Sequence, residues 1–328
     1  MSLPLNIILF IVGLILIVKG GDYFVTASVN IAKKSKIPSV IIGATIVSFA
    51  TVLPEFIVST VASIQGVFDL AIGNAVGSMI ANTALICGLS IAFMPIGINR
   101  GSVYKYLILI VGVLFLAISG INRQLDLFEA IVLLIVFIIF FVLSIVDAIK
   151  QMKISRFQKE EKNDEKTCQI SIFWTIIYFI VGASAIAFGA MTLVNTATNI
   201  SKFIGISDEF IGLTIVALGT SLPELTTTLI AIRKKECALG YGNIVGANIL
   251  NLTLILGVTG LIAKGGVPFS NETLFFTIPM LLVCIFLFLL PLLFKSKTYR
   301  WQGIGLLALY VVYVTILIIS ASLDGIFG

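Results

Sequence analysis

The sequence predicts an all-α polytopic membrane protein with ten transmembrane helices in two inverted five-helix repeats. Three observations carry that prediction: apolar stretches that recur from end to end, a one-sided distribution of basic residues, and a duplication at a constant offset. Of 328 residues, 59% are hydrophobic and only 11% are charged. Apolar runs of about 20 residues, the length that crosses a bilayer, repeat throughout. A soluble α/β domain of this size would need amphipathic surface helices carrying far more charge.

The ten expected spans are centred on residues 4–20, 38–64, 70–95, 103–120, 127–148, 171–194, 206–232, 238–263, 273–294 and 301–320. The first lacks a basic leader and a small-residue cleavage site, so it reads as a retained membrane helix. With ten crossings the connections alternate sides, and 18 of the 21 basic residues then share one side, against Arg123, Lys202 and Lys264 on the other. Positive loops stay in the cytoplasm, so both termini are expected outside a cell membrane and the central linker inside. This asymmetry accounts for the net charge of +5 without nucleic acid, which would call for a basic groove with interleaved aromatics.

The expected organisation is a first repeat at 1–148 (spans 1–5), a cytoplasmic linker at 149–169 and a second repeat at 170–328 (spans 6–10). The linker holds the one hydrophilic stretch, "KQMKISRFQKEEKNDEKTC" at 150–168. It is of mixed sign and too short to house a folded regulatory domain. Cys87, Cys168, Cys237 and Cys284 show no paired spacing, and free, mostly buried thiols are expected. Histidine is absent, which removes the usual proton shuttle and the usual transition-metal ligand. Ion chemistry in this chain therefore falls to oxygen.

The duplication is visible when "GATIVSFATVLPEFIVSTVASIQGVFDLAIGNAVGSMIANTALICGLS" (43–90) is set over "GLTIVALGTSLPELTTTLIAIRKKECALGYGNIVGANILNLTLILGVT" (212–259). At an offset of 169, and without a gap, 19 of 48 positions are identical. The matches include residues that apolar low complexity does not explain: Thr51 with Thr220, Pro54 with Pro223, Glu55 with Glu224, Asn74 with Asn243, and Asn82 with Asn251. The offset extends upstream, where Gly20 meets Gly189. Five spans per copy is an odd number, so the second copy enters the membrane from the opposite side. Such repeats are related by a two-fold axis in the membrane plane, with a substrate site near the midplane.

Of the sixteen acidic residues, only Glu55 and Glu224 lie deep within apolar runs. An ionisable group there costs several kcal/mol on most scales, and the cost is met by a partner or a bound ion. Lys and Arg are missing from comparable depth in the same spans. Pro54 and Pro223 each remove an amide hydrogen and are expected to free carbonyls in the preceding turn, near residues 47–51 and 216–220, Val47 and Val216 included. Freed carbonyls at membrane depth need something to satisfy them. With the hydroxyls of Thr51, Thr220, Ser221 and Ser78 and the amides of Asn82 and Asn251, they make an all-oxygen cage. Six to eight oxygens with two carboxylates suit one divalent hard cation, Ca²⁺ above all. "GNAVGSMIAN" and "GNIVGANILN" lack the lysine of a phosphate loop, and their small residues suit close helix packing that carries Asn82 and Asn251 toward the glutamates.

"GATIVSFATVLPEF" with "GNAVGSMIAN", and "GLTIVALGTSLPEL" with "GNIVGANILN", resemble the two α-repeats of the cation/Ca²⁺ antiporter superfamily, and most closely those of prokaryotic sodium/calcium exchangers. The resemblance covers essentially the whole chain. It implies a ten-helix exchanger in which Glu55 and Glu224 ligate Ca²⁺, Thr51 and Thr220 add oxygens, and the same pocket holds Na⁺ in the other half-cycle. It further implies that spans 1 and 6 slide across the remaining core. Two departures stand out: Val52 and Ala247 replace the family's usual serines, and they are the repeat counterparts of Ser221 and Ser78. One flanking oxygen site is thus complete and its counterpart has lost both hydroxyls. Asn251 stands where potassium-dependent relatives carry Asp, which argues against K⁺ co-transport.

The expected partners are Ca²⁺, Na⁺ and the lipid bilayer, with no cofactor beyond the transported ions and no obligate protein partner. The alternative is Ca²⁺/H⁺ antiport by the same fold, in which the two carboxylates take up protons as Ca²⁺ leaves. A passive channel would use a ring of ligands around a continuous pore. An intramembrane enzyme would need a nucleophile with its base, or an aspartyl pair, so the chain is not expected to be an enzyme.

Overall fold

The computed structural model describes residues 3–35, 37–95, 103–158, 171–203, 217–264, 266–295 and 297–322. Nearly all of these are helical. In chain order the helices are α1 (Leu3–Ser35), α2 (Ser39–Thr51), α3 (Leu53–Ile64), α4 (Phe68–Phe93), α5 (Val103–Ser119), α6 (Leu127–Gln158), α7 (Ile172–Phe203), α8 (Ala217–Thr220), α9 (Leu222–Arg233), α10 (Cys237–Ala263), α11 (Thr273–Lys295) and α12 (Arg300–Ser322). Eight of them are long and apolar enough to cross a membrane, and α2 with α3 makes a ninth span bent by 45°. The expected seventh span, 206–232, is described only from Ala217 onward.

Burial sorts the helices into centre and rim. The most apolar windows of α4 and α10 are 78% and 83% buried, whereas those of α1, α6, α7 and α12 are 22% buried. The rim helices turn Ile8, Ile15, Ile138, Val146, Phe173 and Val311 outward. On a bilayer-spanning chain that apolar exterior is the lipid-facing surface.

The all-α expectation needs one small amendment. Among the described residues there is a two-stranded antiparallel ladder, β1 (Gln124–Leu125) with β2 (Val267–Pro268), pairing Gln124 with Pro268 and Leu125 with Val267. It ties the turn before α6 to the turn after α10. Ser63 Oγ, near the end of α3, donates to Thr259 Oγ1 near the same end of α10 at 3.1 Å. A second set of contacts marks the opposite face. Arg233 and Lys234 pair with Asp22, Lys234 Nζ donates to Thr26 Oγ1 at 2.6 Å, Ser39 Oγ meets Glu236 Oε2 at 3.4 Å, and Cys237 Sγ meets Met94 Sδ at 2.8 Å. Among the described residues, these turns and helix ends therefore gather on two opposite faces.

The counterpart positions of the duplication touch in a reciprocal way. A Cβ added at Gly182 would meet Gly20 O at 2.8 Å, and one added at Gly189 would meet Gly13 O at 2.9 Å. Gly13 and Gly182 are counterparts at offset 169, as are Gly20 and Gly189. The pairs 13 with 189 and 20 with 182 also run in opposite senses, so α1 and α7 are antiparallel. A contact in which residue i touches j′ and j touches i′ is the signature of a two-fold axis.

Close approach also sets the place of α2. A Cβ at Gly242 would run into the carbonyl oxygen of Val40 and lie 3.1 Å from Ala44 N. Both obstacles are backbone, so neither can rotate away. Gly242→Ala is expected to cost about 2 kcal/mol through overpacking and to lower the unfolding midpoint in detergent by about 3 °C, as read by a thermal melt of purified protein.

Lys105 lies at the third residue of α5, inside the expected span 103–120, and is 1% exposed. Cys87, Cys237 and Cys284 are free and buried, as expected, while Cys168 lies outside the described residues.

Candidate cation site

Both proline motifs break a helix. The first ends at Thr51 and resumes at Leu53, with Val52 at φ −78° and ψ −7°. The second ends at Thr220 and resumes at Leu222, with Ser221 at φ −85° and ψ 4°. Pro54 and Pro223 fall in the first turn of the new helix, where a missing amide hydrogen costs no intrahelical bond. The break therefore precedes the proline by two residues, and the prolines begin helices where an interruption was expected. The same placement puts Glu55 and Glu224 in the first turns of α3 and α9, where free amides and the helix dipole favour negative charge.

The expected freed carbonyls are only partly free. Ser48 O accepts from Val52 N at 3.0 Å and from Thr51 Oγ1 at 3.3 Å. Val47 is buried at the end of a wide π-type turn, Gly43–Val47, just before this segment. Val216 lies outside the described residues.

Around the two breaks the side chains cross-connect. Thr51 Oγ1 donates to Asn243 Oδ1 at 3.1 Å, and Thr220 Oγ1 donates to Asn74 Oδ1 at 3.1 Å. The second bond is the repeat counterpart of the first. Asn74 Nδ2 donates in turn to Glu55 O at 3.2 Å and to Ser59 Oγ at 2.9 Å. Ser221 Oγ reaches Glu55 Oε1 at 3.5 Å and Ser78 Oγ at 3.2 Å. The chain thus brings Glu55, Thr220, Ser221 and Ser78 into one connected cluster through Asn74, while Thr51 and Asn243 form a separate pair and Glu224 lies within electrostatic reach of Glu55.

Glu55 and Glu224 are completely buried. Glu55 Oε2 and both carboxylate oxygens of Glu224 find no hydrogen-bond partner among the described residues, and neither do the amide atoms of Asn82 and Asn251. The two asparagines occupy matching places, each in a wide π-type turn, Ala81–Cys87 and Asn251–Ile255. Such turns recur at functional sites because they loosen the helical ladder. The first packs on α9 and the second on α3, so each asparagine-bearing turn lies against the helix that begins with the other repeat's glutamate.

Buried polar atoms left without partners cost about 1–3 kcal/mol each. Here they are carboxylate and amide oxygens gathered at two helix breaks. Among the described residues no three His, Cys, Asp or Glu side chains cluster, so the donor set is two carboxylates amid neutral oxygens, which suits a hard cation. A narrow crevice runs past the breaks, lined by Thr51, Pro54 and Pro223 together with Phe24 and Ala183.

The sequence reading missed Asn74 and Asn243. Both match at the repeat offset, and each sits beside a packing glycine, Gly73 or Gly242. An identical amide pair inside two membrane helices was signal enough, since an amide at that depth must bond to something.

A family model of the sodium/calcium exchanger protein matches residues 5–146 and 174–319. The chain belongs to the sodium/calcium exchanger family. Its relatives in that exchanger family include the sodium/calcium exchanger MaX1 of Methanosarcina acetivorans, 32% identical over 96% of this chain and 99% of the relative. An uncharacterised membrane protein of Methanocaldococcus jannaschii, MJ0091, is 34% identical over 93% of this chain and 95% of its own length. Among solved structures, the sodium-calcium exchanger NCX_Mj superposes with a TM-score of 0.82 at 32% identity, covering 96% of this chain and 99% of that one. Exchanger-family membership makes this a multi-pass membrane antiporter.

Proposed function

We propose that this antiporter exchanges Ca²⁺ for Na⁺ by alternating access at a midplane site built on Glu55 and Glu224, with Thr51, Thr220, Ser78, Ser221, Asn82, Asn251 and the carbonyls near Val47 and Val216 as further ligands. The observation that carries the reading is the pair of fully buried carboxylates, three of whose four oxygens lack a hydrogen-bond partner among the described residues. Two carboxylates balance one Ca²⁺, and when Ca²⁺ leaves, monovalent ions must replace its charge. Soaks of the relative NCX_Mj with Na⁺, Ca²⁺ and Sr²⁺ accord with that ion class.

Ten spans in two inverted repeats, 1–148 and 170–328, fit the reciprocal α1–α7 contact and a family match that falls in two segments. The gathering of turns on two faces fits a cytoplasmic face at α9–α10 and at the 149–169 linker, with both termini outside. The chain acts as a transporter rather than an enzyme, and needs no further protein to do so.

One observation favours Ca²⁺/H⁺ exchange as the second reading. Val52 and Ala247 are apolar and buried where Ser221 and Ser78 stand in the other half, which removes the counterpart of the Ser221–Ser78 hydroxyl pair from the Glu224 side. Ca²⁺ flux into proteoliposomes decides between the two. Flux driven by an imposed Na⁺ gradient at equal pH is expected; flux under a pH gradient alone would establish the proton reading instead.

A further inference from the structure

Hydroxyls inside a membrane helix ordinarily donate to the carbonyl one turn back, and this protein does so repeatedly. Thr26 bonds Asp22 O at 2.6 Å, Ser28 bonds Phe24 O at 2.8 Å, Thr45 bonds Ile41 O at 2.7 Å, Ser90 bonds Ile86 O at 2.7 Å, and Thr253 bonds Ile249 O at 2.6 Å. Thr227 and Thr228 on α9 break the habit. Both are completely buried, and neither Oγ1 has a hydrogen-bond partner among the described residues. Neither hydroxyl takes up the back-bond that the other helical hydroxyls make.

Thr227 and Thr228 follow Glu224 by three and four residues, so all three side chains share one face of α9. Neither carboxylate oxygen of Glu224 has a hydrogen-bond partner among the described residues, although the Thr51 hydroxyl stands beside it. Four unpartnered oxygens therefore occupy one face over a single helical turn. The first repeat has no such arrangement. The counterpart of Thr227 is Val58, and the counterpart of Thr228 is Ser59, whose hydroxyl donates to Ala71 O at 3.2 Å and accepts from Asn74. The halves are thus unlike in a compensating sense: around Glu224, Val52 and Ala247 remove two hydroxyls on one flank, and Thr227 and Thr228 present two on the other.

We propose that Thr227 and Thr228, together with Glu224, form a subsite for the monovalent coupling cation that the first repeat lacks, displaced by one helical turn from the position the two-fold would give. The proposal rests on the exchange reading above and names which residues hold the driving ion on the Glu224 side. A small hard cation takes neutral hydroxyl oxygens beside one carboxylate, and it loses less than a divalent ion would from the absence of a second charge.

The test is Na⁺-driven Ca²⁺ flux in proteoliposomes, titrated separately in Na⁺ and in Ca²⁺, for Thr227→Val, Thr228→Val, the double variant and Thr228→Ser. Valine keeps the shape and removes the oxygen. The double variant is expected to raise the half-saturating Na⁺ concentration about tenfold, the effect of losing about 1.4 kcal/mol of binding, and to lower the Hill slope. The shift in half-saturating Ca²⁺ should be several-fold smaller, and Thr228→Ser should restore the Na⁺ dependence. Ser90→Ala, which removes a back-bonded hydroxyl, should leave both titrations in place. A Na⁺ titration of the double variant within twofold of the unaltered protein would overturn the subsite. So would equal shifts in Na⁺ and Ca²⁺, which would make the threonines structural. If the unaltered protein carries no Na⁺-driven flux, the exchange reading itself fails, and the subsite with it.

Discussion

Glu55→Gln and Glu224→Gln are each expected to abolish Ca²⁺ exchange, with flux at least a hundredfold below that of the unaltered protein. Glutamine preserves the size of the side chain, so the packing of α3 and α9 survives. What changes is charge. A site of two carboxylates is neutral with one Ca²⁺ aboard, and removing either leaves a divalent ion in a fully buried place with one unit uncompensated. Uncompensated charge at such burial costs about 3–5 kcal/mol, and every 1.4 kcal/mol is about tenfold in affinity. Radioactive Ca²⁺ uptake into proteoliposomes reads the result, with size-exclusion chromatography in detergent to show that the variants fold. Uptake within tenfold of the unaltered protein, in either variant, would remove that glutamate from the ligand set.

Restoring the two missing hydroxyls is expected to act in the opposite direction. In the double variant Val52→Ser with Ala247→Ser, Glu224 gains the flank that Ser221 and Ser78 give Glu55, where the hydroxyls stand 3.2 Å apart and one reaches the carboxylate at 3.5 Å. Both positions are enclosed, with Val52 2% and Ala247 0% exposed, so the new oxygens meet no competing water. A hydroxyl on a charged group contributes about 1.5–3 kcal/mol. The half-saturating Na⁺ concentration should fall about tenfold and the Hill slope should steepen. An unchanged Na⁺ titration would show that the apolar flank is not a depleted ion position.

The carboxylates and the two helix breaks were legible in the sequence because membrane depth makes polarity expensive. In an apolar run Glu55, Pro54 and their counterparts have few bland explanations, and the offset of 169 doubled every signal. Burial of Glu55 and Glu224 and the pairing of Ser78 with Ser221 followed. Less legible was anything set by a one-residue difference in helical geometry. Proline was read as a mid-helix interruption, whereas the bend falls at Val52 and Ser221 and the prolines sit inside the next helix, so Ser48 O stays bonded. The cross-repeat bonds of Thr51 to Asn243 and Thr220 to Asn74 depend on which face of α4 and α10 meets the breaks, and those two helices are buried all round. A helix with no exposed side gives periodicity nothing to report. Lys105 illustrates the converse: a basic residue near a span end counts as loop charge by position, yet a long side chain can lie wholly inside.

The reciprocal glycine contact between α1 and α7 bears on ancestry. An interface in which Gly13 meets Gly189 and Gly20 meets Gly182 asks for only one kind of surface, since each half supplies both sides of it. A half-length chain able to insert in either direction would already have carried everything needed to close this contact on a second copy of itself. Fusion would then have added no new interface; it would have fixed the proportion of the two orientations at one to one. Only after that could the halves drift apart, and the unequal flanks of the two glutamates are the kind of difference that a covalently joined pair can accumulate and an interchangeable pair cannot.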